Sequence, residues 1–265
     1  MKTGLEEAKK RLIPEIMIKC MAREIRDGDF VFHGLASPLP ILAMVLAKRT
    51  HAPNMVFLGV TEQVDPVIKR LKVSSADPEM SGGCVAYIET VEAFDLAQKG
   101  KLNVMFLGGA QIDKYGNTNL SVIGDYYRPK VRLPGGAATA FIMPLAQKTV
   151  LWTTRHSKRV LVEKVDFRTG QGYLEGGDSR ERLGLRKAVL RLVTNLGVFG
   201  FDEETRVMRL ESIHPGYSLD DILNNTGFSD LIIPPEVKET EPPTEEELKI
   251  IREVDPDGIR YSEFR

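Results

Sequence analysis

The chain alternates short, almost continuously apolar runs with longer stretches of helical periodicity. The apolar runs are Asp29–Gly34, Asn54–Val60, Cys84–Glu89, Asn103–Gly109, Thr149–Thr154 and Arg159–Val165. A strand covered on both faces has no polar side to display, so runs of this kind predict interior strands. Between them, Leu39–Lys48 and Thr90–Lys99 read as helices, the second with Thr90 as its cap and Gly100 as its stop. Strand, helix and strand at these lengths predict βαβ units with right-handed crossovers. The expected architecture is α/β: an open, mainly parallel sheet with helices on both faces.

From about Val189 the texture changes. LRLVTN, GVFGF and VMRLESI follow one another with tight connections, which predicts an antiparallel meander. Ser218 caps a short helix through Asn225, and the proline-rich stretch Pro234–Pro243 reads as an extended surface segment. Thr244–Glu247 is a capping box opening a last helix, which Asp255-Pro256 ends. With no repeat and no linker composition, the expectation is a single domain over residues 1–265, of which 189–265 is an antiparallel and helical C-terminal extension.

Composition narrows the class without naming a chemistry. The chain is 42% hydrophobic and carries 36 Lys and Arg against 37 Asp and Glu, a net charge of −1. That balance offers no overall attraction to nucleic acid or an anionic membrane. The longest apolar stretches, such as Ile41–Ala47, are too short to span a bilayer, and the polar start MKTGLEEAKKRL shows no secretory signal. Cys20 and Cys84 are too few for a disulfide framework or a structural zinc, so a cytoplasmic location is expected. His33, His51, His156 and His214 lack metal-binding spacing, and no metal is expected.

Two segments have the residue types of a binding site. In Leu107–Asn119 (LGGAQIDKYGNTN) an apolar strand ends in Gly108-Gly109, where backbone N–H groups can approach a ligand, followed by Gln111, Asp113, Asn117 and Asn119. The carboxyl ends of strands are where open parallel sheets bind ligands. In Arg128–Ala138 (RPKVRLPGGAA), Arg128, Lys130 and Arg132 precede a Gly-Gly-Ala-Ala turn able to form an anion-binding nest. Both segments also fit plain loops, one built on left-handed Asn and Gly, the other a solvated basic turn. Dinucleotide, Walker-type and nucleophile-elbow signatures are absent.

Taken together, GGAQIDKYGNTN, IGDYYRPKVRLPGGAA, NLGVFGFDEE, NNTGF and IREVDP, in that order, resemble the β subunits of family I CoA-transferases, closest to those of the glutaconate CoA-transferase type. The resemblance runs from about Arg23 to Pro256. It implies an open α/β fold, an α subunit in a heterodimer that assembles into a heterotetramer or larger, and an acyl-CoA substrate, with CoA entering as part of that substrate and no permanently bound cofactor. In the family's transferases a β-subunit glutamate attacks the thioester, forming covalent intermediates. Aligned without gaps back from Asp65-Pro66, that position is Val60, which is no nucleophile; Glu62 would share its face if the strand continued. GLASPLPILAMVLAKRTHAP resembles a decarboxylase branch of the same fold. RVLVEKVDFRTGQGY and PTEEELKIIREVDP resemble a steroid-ring hydrolase branch. The resemblance, with residue chemistry, assigns Gly135, Gly136 and Ala137 to the turn that holds the thioester oxygen, Gly108, Gly109, Gln111 and Asn117 to the facing wall, and Arg128 to the distal carboxylate of a dicarboxylyl-CoA.

Overall fold

The computed structural model describes residues 11–264; most of the polar start, residues 1–10, lies outside them. The backbone packs as two compact units, one running to Phe106 and resuming at Glu241, the other Leu107–Thr240. One boundary falls inside a strand, which is why no linker composition marks it.

The first unit runs α1 (Ile13–Ala22), β1 (Phe30–His33), α2 (Pro38–Arg49), β2 (Val56–Leu58), β3 (Gln63–Val64), β4 (Ala86–Tyr87), α3 (Thr90–Gln98) and β5 (Val104–Leu107). β1 lies between β2 and β5, parallel to both, with Val31 opposite Phe57 and Val104. β3 and β4 extend the sheet antiparallel beyond β2. α2 is buried from Pro38 to Ala47, as a helix apolar all round must be, and packs on α1. Phe57 and Phe106 are fully buried, each worth about 1.5–3 kcal/mol of transfer free energy.

The second unit runs β6 (Gln111–Asp113), β7 (Thr118–Asn119), β8 (Val122–Gly124), β9 (Pro129–Arg132), α4 (Thr139–Ile142), β10 (Lys148–Thr153), β11 (Leu161–Val162), α5 (Ser179–Arg182), β12 (Val189–Thr194), β13 (Gly197–Phe201), β14 (Met208–Ile213), α6 (Leu219–Asn225) and β15 (Lys238–Glu239). β10 and β12 pair in parallel along their whole length, and β12, β13 and β14 form the expected antiparallel meander. β6 pairs with β7 and β11 in a small second sheet, and β8 and β9 form a hairpin. The chain then returns to the first unit as α7 (Glu245–Val254), opened by the reciprocal Thr244–Glu247 capping box.

The α/β reading holds, with β1 parallel to β2 and β5 in the first unit and β10 parallel to β12 in the second. Three local expectations change. Cys84–Glu89 yields only β4, an edge strand that is exposed at both residues, as is the preceding Val85. Thr90 is the first residue of α3 and not its cap; Glu89 and Glu92 form the capping box instead. Pro234–Pro243 contains β15, which adds in parallel to β14. No helix among the described residues is long and apolar enough to cross a membrane.

Three buried histidines make stability fall in acid. Burial holds His33 and His214 at about 4, and burial reinforced by the neighbouring His214 holds His156 at about 3. Each is neutral when folded, with His156 bonded to the hydroxyls of Thr194 and Thr226, and His214 to Thr240 and the Thr194 carbonyl. Above pH 6.5 they contribute no pH dependence. As pH falls below 6.5 the unfolded chain takes up protons that the folded chain refuses, at about 1.4 kcal/mol per histidine per pH unit. Asp113 opposes this weakly: burial raises its carboxyl to about 6, so its contribution is gained as pH falls below 6. The urea midpoint is therefore expected to drop on going from pH 7.5 to pH 5, and equal midpoints would refute the assignment.

Candidate functional site

Within the second unit, the two glycine turns are built on one short extended segment, Thr118–Leu120. On one flank Ala110 N–H donates to the Asn119 carbonyl (2.9 Å), so Gly108-Gly109 enters directly beside it. A side chain at Gly109 would press on Thr118 Cβ at 3.3 Å and Gln111 O at 3.0 Å. On the other flank Gly135 N–H donates to the Leu120 carbonyl (2.8 Å), and Thr169 and Gly170 N–H both donate to Thr118 O. A Cβ at Gly136 would lie 2.0 Å from Thr169 Cγ2, so glycine is required for the turn to seat there. Thr169 Oγ1 in turn accepts from Leu120 N–H and bonds Ser121 Oγ. The turns thus lie on opposite sides of one strand, roughly 10 Å apart by two strand spacings.

The amides of this cradle are not equivalent. Gly135, in left-handed conformation (φ +89), uses its N–H on Leu120. The N–H groups of Gly136 and Ala137 have no acceptor among the described residues. Of the three residues expected to hold an oxygen, Gly135 has its N–H engaged within the fold, while those of Gly136 and Ala137 are without an acceptor among the described residues.

The polar residues after Gly109 turn inward. Gln111 donates to Asp166 and accepts from Asp166 N–H and Asn119 Nδ2. Asn117 is fully buried: its Nδ2 donates to Asp113 and Leu174 O, and its Oδ1 accepts from Gly172 and Leu174 N–H. Asp113 accepts from Tyr115 and Asn117 N–H as well, yet burial outweighs these bonds and raises its carboxyl. Asn117 therefore has no hydrogen-bonding group left for a ligand, a correction to its expected contact role, whereas Gln111 keeps one Nε2 hydrogen beyond its bond to Asp166. Both brace the wall that carries Gly108 and Gly109.

Arg180 was not marked by any sequence signal. It is 3% exposed, pairs with no carboxylate among the described residues, and donates only to backbone carbonyls: Gln171, Gly172, Pro144 and Arg186. It ties the segment after Gly170 to Pro144, two residues beyond α4, and so fixes both sides of the Gly136 seat. Burial lowers its pKa, because desolvation disfavours the cation. Nothing in a local pattern can flag carbonyl partners.

The structure also places Glu62 and Arg128. β2 stops at Leu58, and Gly59–Gln63 is a tight turn in which Gly59 N–H bonds Gln63 O and Glu62 N–H bonds Gly59 O. Glu62, with φ +75, is off the strand and shares no face with Val60; its carboxylate accepts from Thr90 N–H (2.9 Å) and Oγ1 (3.0 Å) at the start of α3. Glu62 is a helix anchor in the first unit. Arg128 sits at the exposed end of the β8–β9 hairpin, its N–H on Asp125 Oδ1. Seven residues of near-extended chain separate it from Gly135, roughly 20 Å at 3.3 Å per residue. Among the described residues no three His, Cys, Asp or Glu side chains gather into a metal-holding group.

Residues 15–225 match the coenzyme A transferase family. The chain belongs to that family. This CoA-transferase chain is 36% identical to the B subunit of 3-oxoadipate CoA-transferase from Pseudomonas knackmussii over 90% of its length and 91% of the relative's. It is 34% identical to the B subunit of glutaconate CoA-transferase from Acidaminococcus fermentans, over 91% and 92%. A cholesterol ring-cleaving hydrolase IpdB subunit of Rhodococcus jostii is 31% identical over 86% and 88%. Among solved structures, the decarboxylase AibA/AibB superposes with a TM-score of 0.85 at 31% identity, covering 95% of this chain and 98% of that one. The CoA-transferase family is thus shown across nearly the whole chain, and the relatives' names span three reaction types.

Proposed function

We propose that this chain is the β subunit of a heteromeric enzyme acting on an acyl-CoA thioester of a dicarboxylic or keto acid. It works with an α subunit, as a heterodimer assembling into a heterotetramer or larger, in the cytoplasm. The reading is supported by its relatives, which are named as one of two subunits, and carried by one observation. Two glycine turns flank Thr118–Leu120, and in one of them the Gly136 and Ala137 amides have no acceptor among the described residues. Transfer, hydrolysis and decarboxylation of a thioester all build negative charge on the carbonyl oxygen or its neighbouring carbon. Fixed backbone donors meet that charge without reorganising, and removing one such donor typically lowers the rate about 10²–10³-fold. No resident cofactor is required, since CoA arrives with the acyl group.

A second reading, water or a proton in place of an acceptor acid, is favoured by Val60 and by the engagement of Glu62 with Thr90. Without a carboxylate at Val60 the reactive acid would come from the α subunit. The test is trapping: the co-purified subunits are incubated with acyl-CoA and borohydride, and the labelled peptide is identified. This chain is expected to stay unlabelled, and Glu62→Ala to leave turnover near the native value. A glutamyl adduct on Glu62 would restore transfer through this chain. The cradle is tested separately by Gly108→Ala, whose methyl would meet no atom closer than 3.8 Å (Trp152 O). The fold should tolerate it, so a selective loss of turnover would report substrate crowding, and unchanged kinetics would remove Gly108 from the site.

A further inference from the structure

The β8–β9 hairpin carries a feature that the thioester chemistry leaves unused. Arg128, Lys130 and Arg132 occupy every second position along β9 and its entry, with Lys130 at a bulge opposite Gly124. None of the three has an ion-pair partner among the described residues, although the chain as a whole carries a net charge of −1. The tip beside them is aromatic and ordered. Asp125 Oδ1 accepts from Tyr127 and Arg128 N–H, Tyr126 stacks on Phe167 with ring centroids 5.1 Å apart, and Arg132 lies over the Tyr126 ring at 5.0 Å and donates to its carbonyl. Tyr127 nonetheless stands 88% exposed, and Tyr126 46%. A braced ribbon with unpaired cations and an uncovered aromatic ring suits a ligand that joins a planar base to clustered phosphates.

The spacing selects among such ligands. The hairpin base is pinned where Leu133 N–H bonds Ser121 O and Gly135 N–H bonds Leu120 O, so the cations begin beside the thioester turn and end roughly 20 Å away. A pantetheine arm, comparable in length to about four extended residues, spans on the order of 15 Å. Resting on the acyl-CoA reading above, the geometry points to this hairpin as the seat of the nucleotide end of coenzyme A. Arg128 and Lys130 take the 3′-phosphate and diphosphate, and Tyr127 takes the adenine face. Arg128 thus recognises the carrier common to every thioester, and the acyl group's distal carboxylate is read elsewhere.

The test is a calorimetric titration of the full chain, co-purified with its partner subunit, with CoA, 3′-dephospho-CoA and pantetheine. The native complex is expected to bind CoA about tenfold more tightly than 3′-dephospho-CoA, and both more tightly than pantetheine. The double variant Arg128→Ala/Lys130→Ala is expected to lose about tenfold or more in CoA affinity, with its preference over 3′-dephospho-CoA reduced to about twofold or less. Tyr127→Ala should weaken CoA and 3′-dephospho-CoA by a common factor, because the adenine is common to both. Variants that keep affinity and preference overturn the assignment. So do variants that shed the partner subunit on gel filtration, which would make the hairpin a subunit contact. A native complex that binds pantetheine as tightly as CoA overturns the hairpin and leaves the acyl-CoA reading standing. One that binds none of the three removes that reading, and the assignment with it.

Discussion

Gly172→Ala is expected to lower the stability of the protein by about 3 kcal/mol or more, at the upper end of what overpacking produces. An added Cβ would lie 2.3 Å from the Gly116 carbonyl carbon and 2.5 Å from Asn117 N, and both obstacles are backbone. A side chain could rotate away; this pair cannot, because Asn117 is locked by bonds to Asp113, Leu174 and Gly172 itself. Relief would have to come from pulling residues 170–174 off the 115–118 segment. That movement breaks the Gly172 N–H bond to Asn117 and drags Thr169 and Gly170 away from Thr118. The cradle would therefore fail together with the fold. Urea unfolding checks this against Gly108→Ala, whose new methyl meets only ordinary contacts. Coincident midpoints for the two variants would mean that the approach of these segments is looser than 2.3 Å contacts allow.

The same segment explains what was and was not legible in the sequence. Strands and buried helices write themselves into local hydrophobic order, so β1, α2, the β12–β14 meander and the Thr244 capping box stand near where the pattern puts them. The end of β2 was hidden because Gly59 turns the chain through a bond to Gln63, and a following Val-Thr pair still reads as strand. The two glycine turns were visible as composition, and their proximity follows only from the bonds that Thr118–Leu120 makes on both flanks. Asn117 was misread for a related reason, and the inward bonds of Gln111 were equally hidden. Polar residues after a strand announce hydrogen bonding, whereas whether the partner is substrate or protein depends on Asp166 and Leu174, far along the chain. Glu62 looks like a displaced nucleophile until its two bonds to Thr90 are seen. Local chemistry reads out at short range, and the site is assembled from contacts that no local window contains.

Arg180→Met is expected to cost about 3–5 kcal/mol, and the sign is decided by two opposing quantities. Taking an arginine out of water without a carboxylate is unfavourable, and replacing buried charge by an apolar isostere is sometimes stabilising. Here, however, the guanidinium serves the carbonyls of Gln171, Gly172, Pro144 and Arg186, and a thioether serves none of them. Each buried carbonyl left unpaired costs about 1–3 kcal/mol, so losing even the most enclosed pair outweighs the desolvation that is recovered. Arg180→Lys keeps the charge but presents a compact head in place of a planar fork, which cannot span carbonyls from both sides of the Gly136 seat. It is expected to recover about half of the loss. Because the fork joins the segment after Gly170 to Pro144 just beyond α4, turnover should fall in the lysine variant at temperatures where it remains folded, with the substrate KM changing less than kcat. Urea midpoints for the three proteins order the effect. A methionine variant more stable than the native chain would show that desolvation governs Arg180, and would leave the cradle without its clamp.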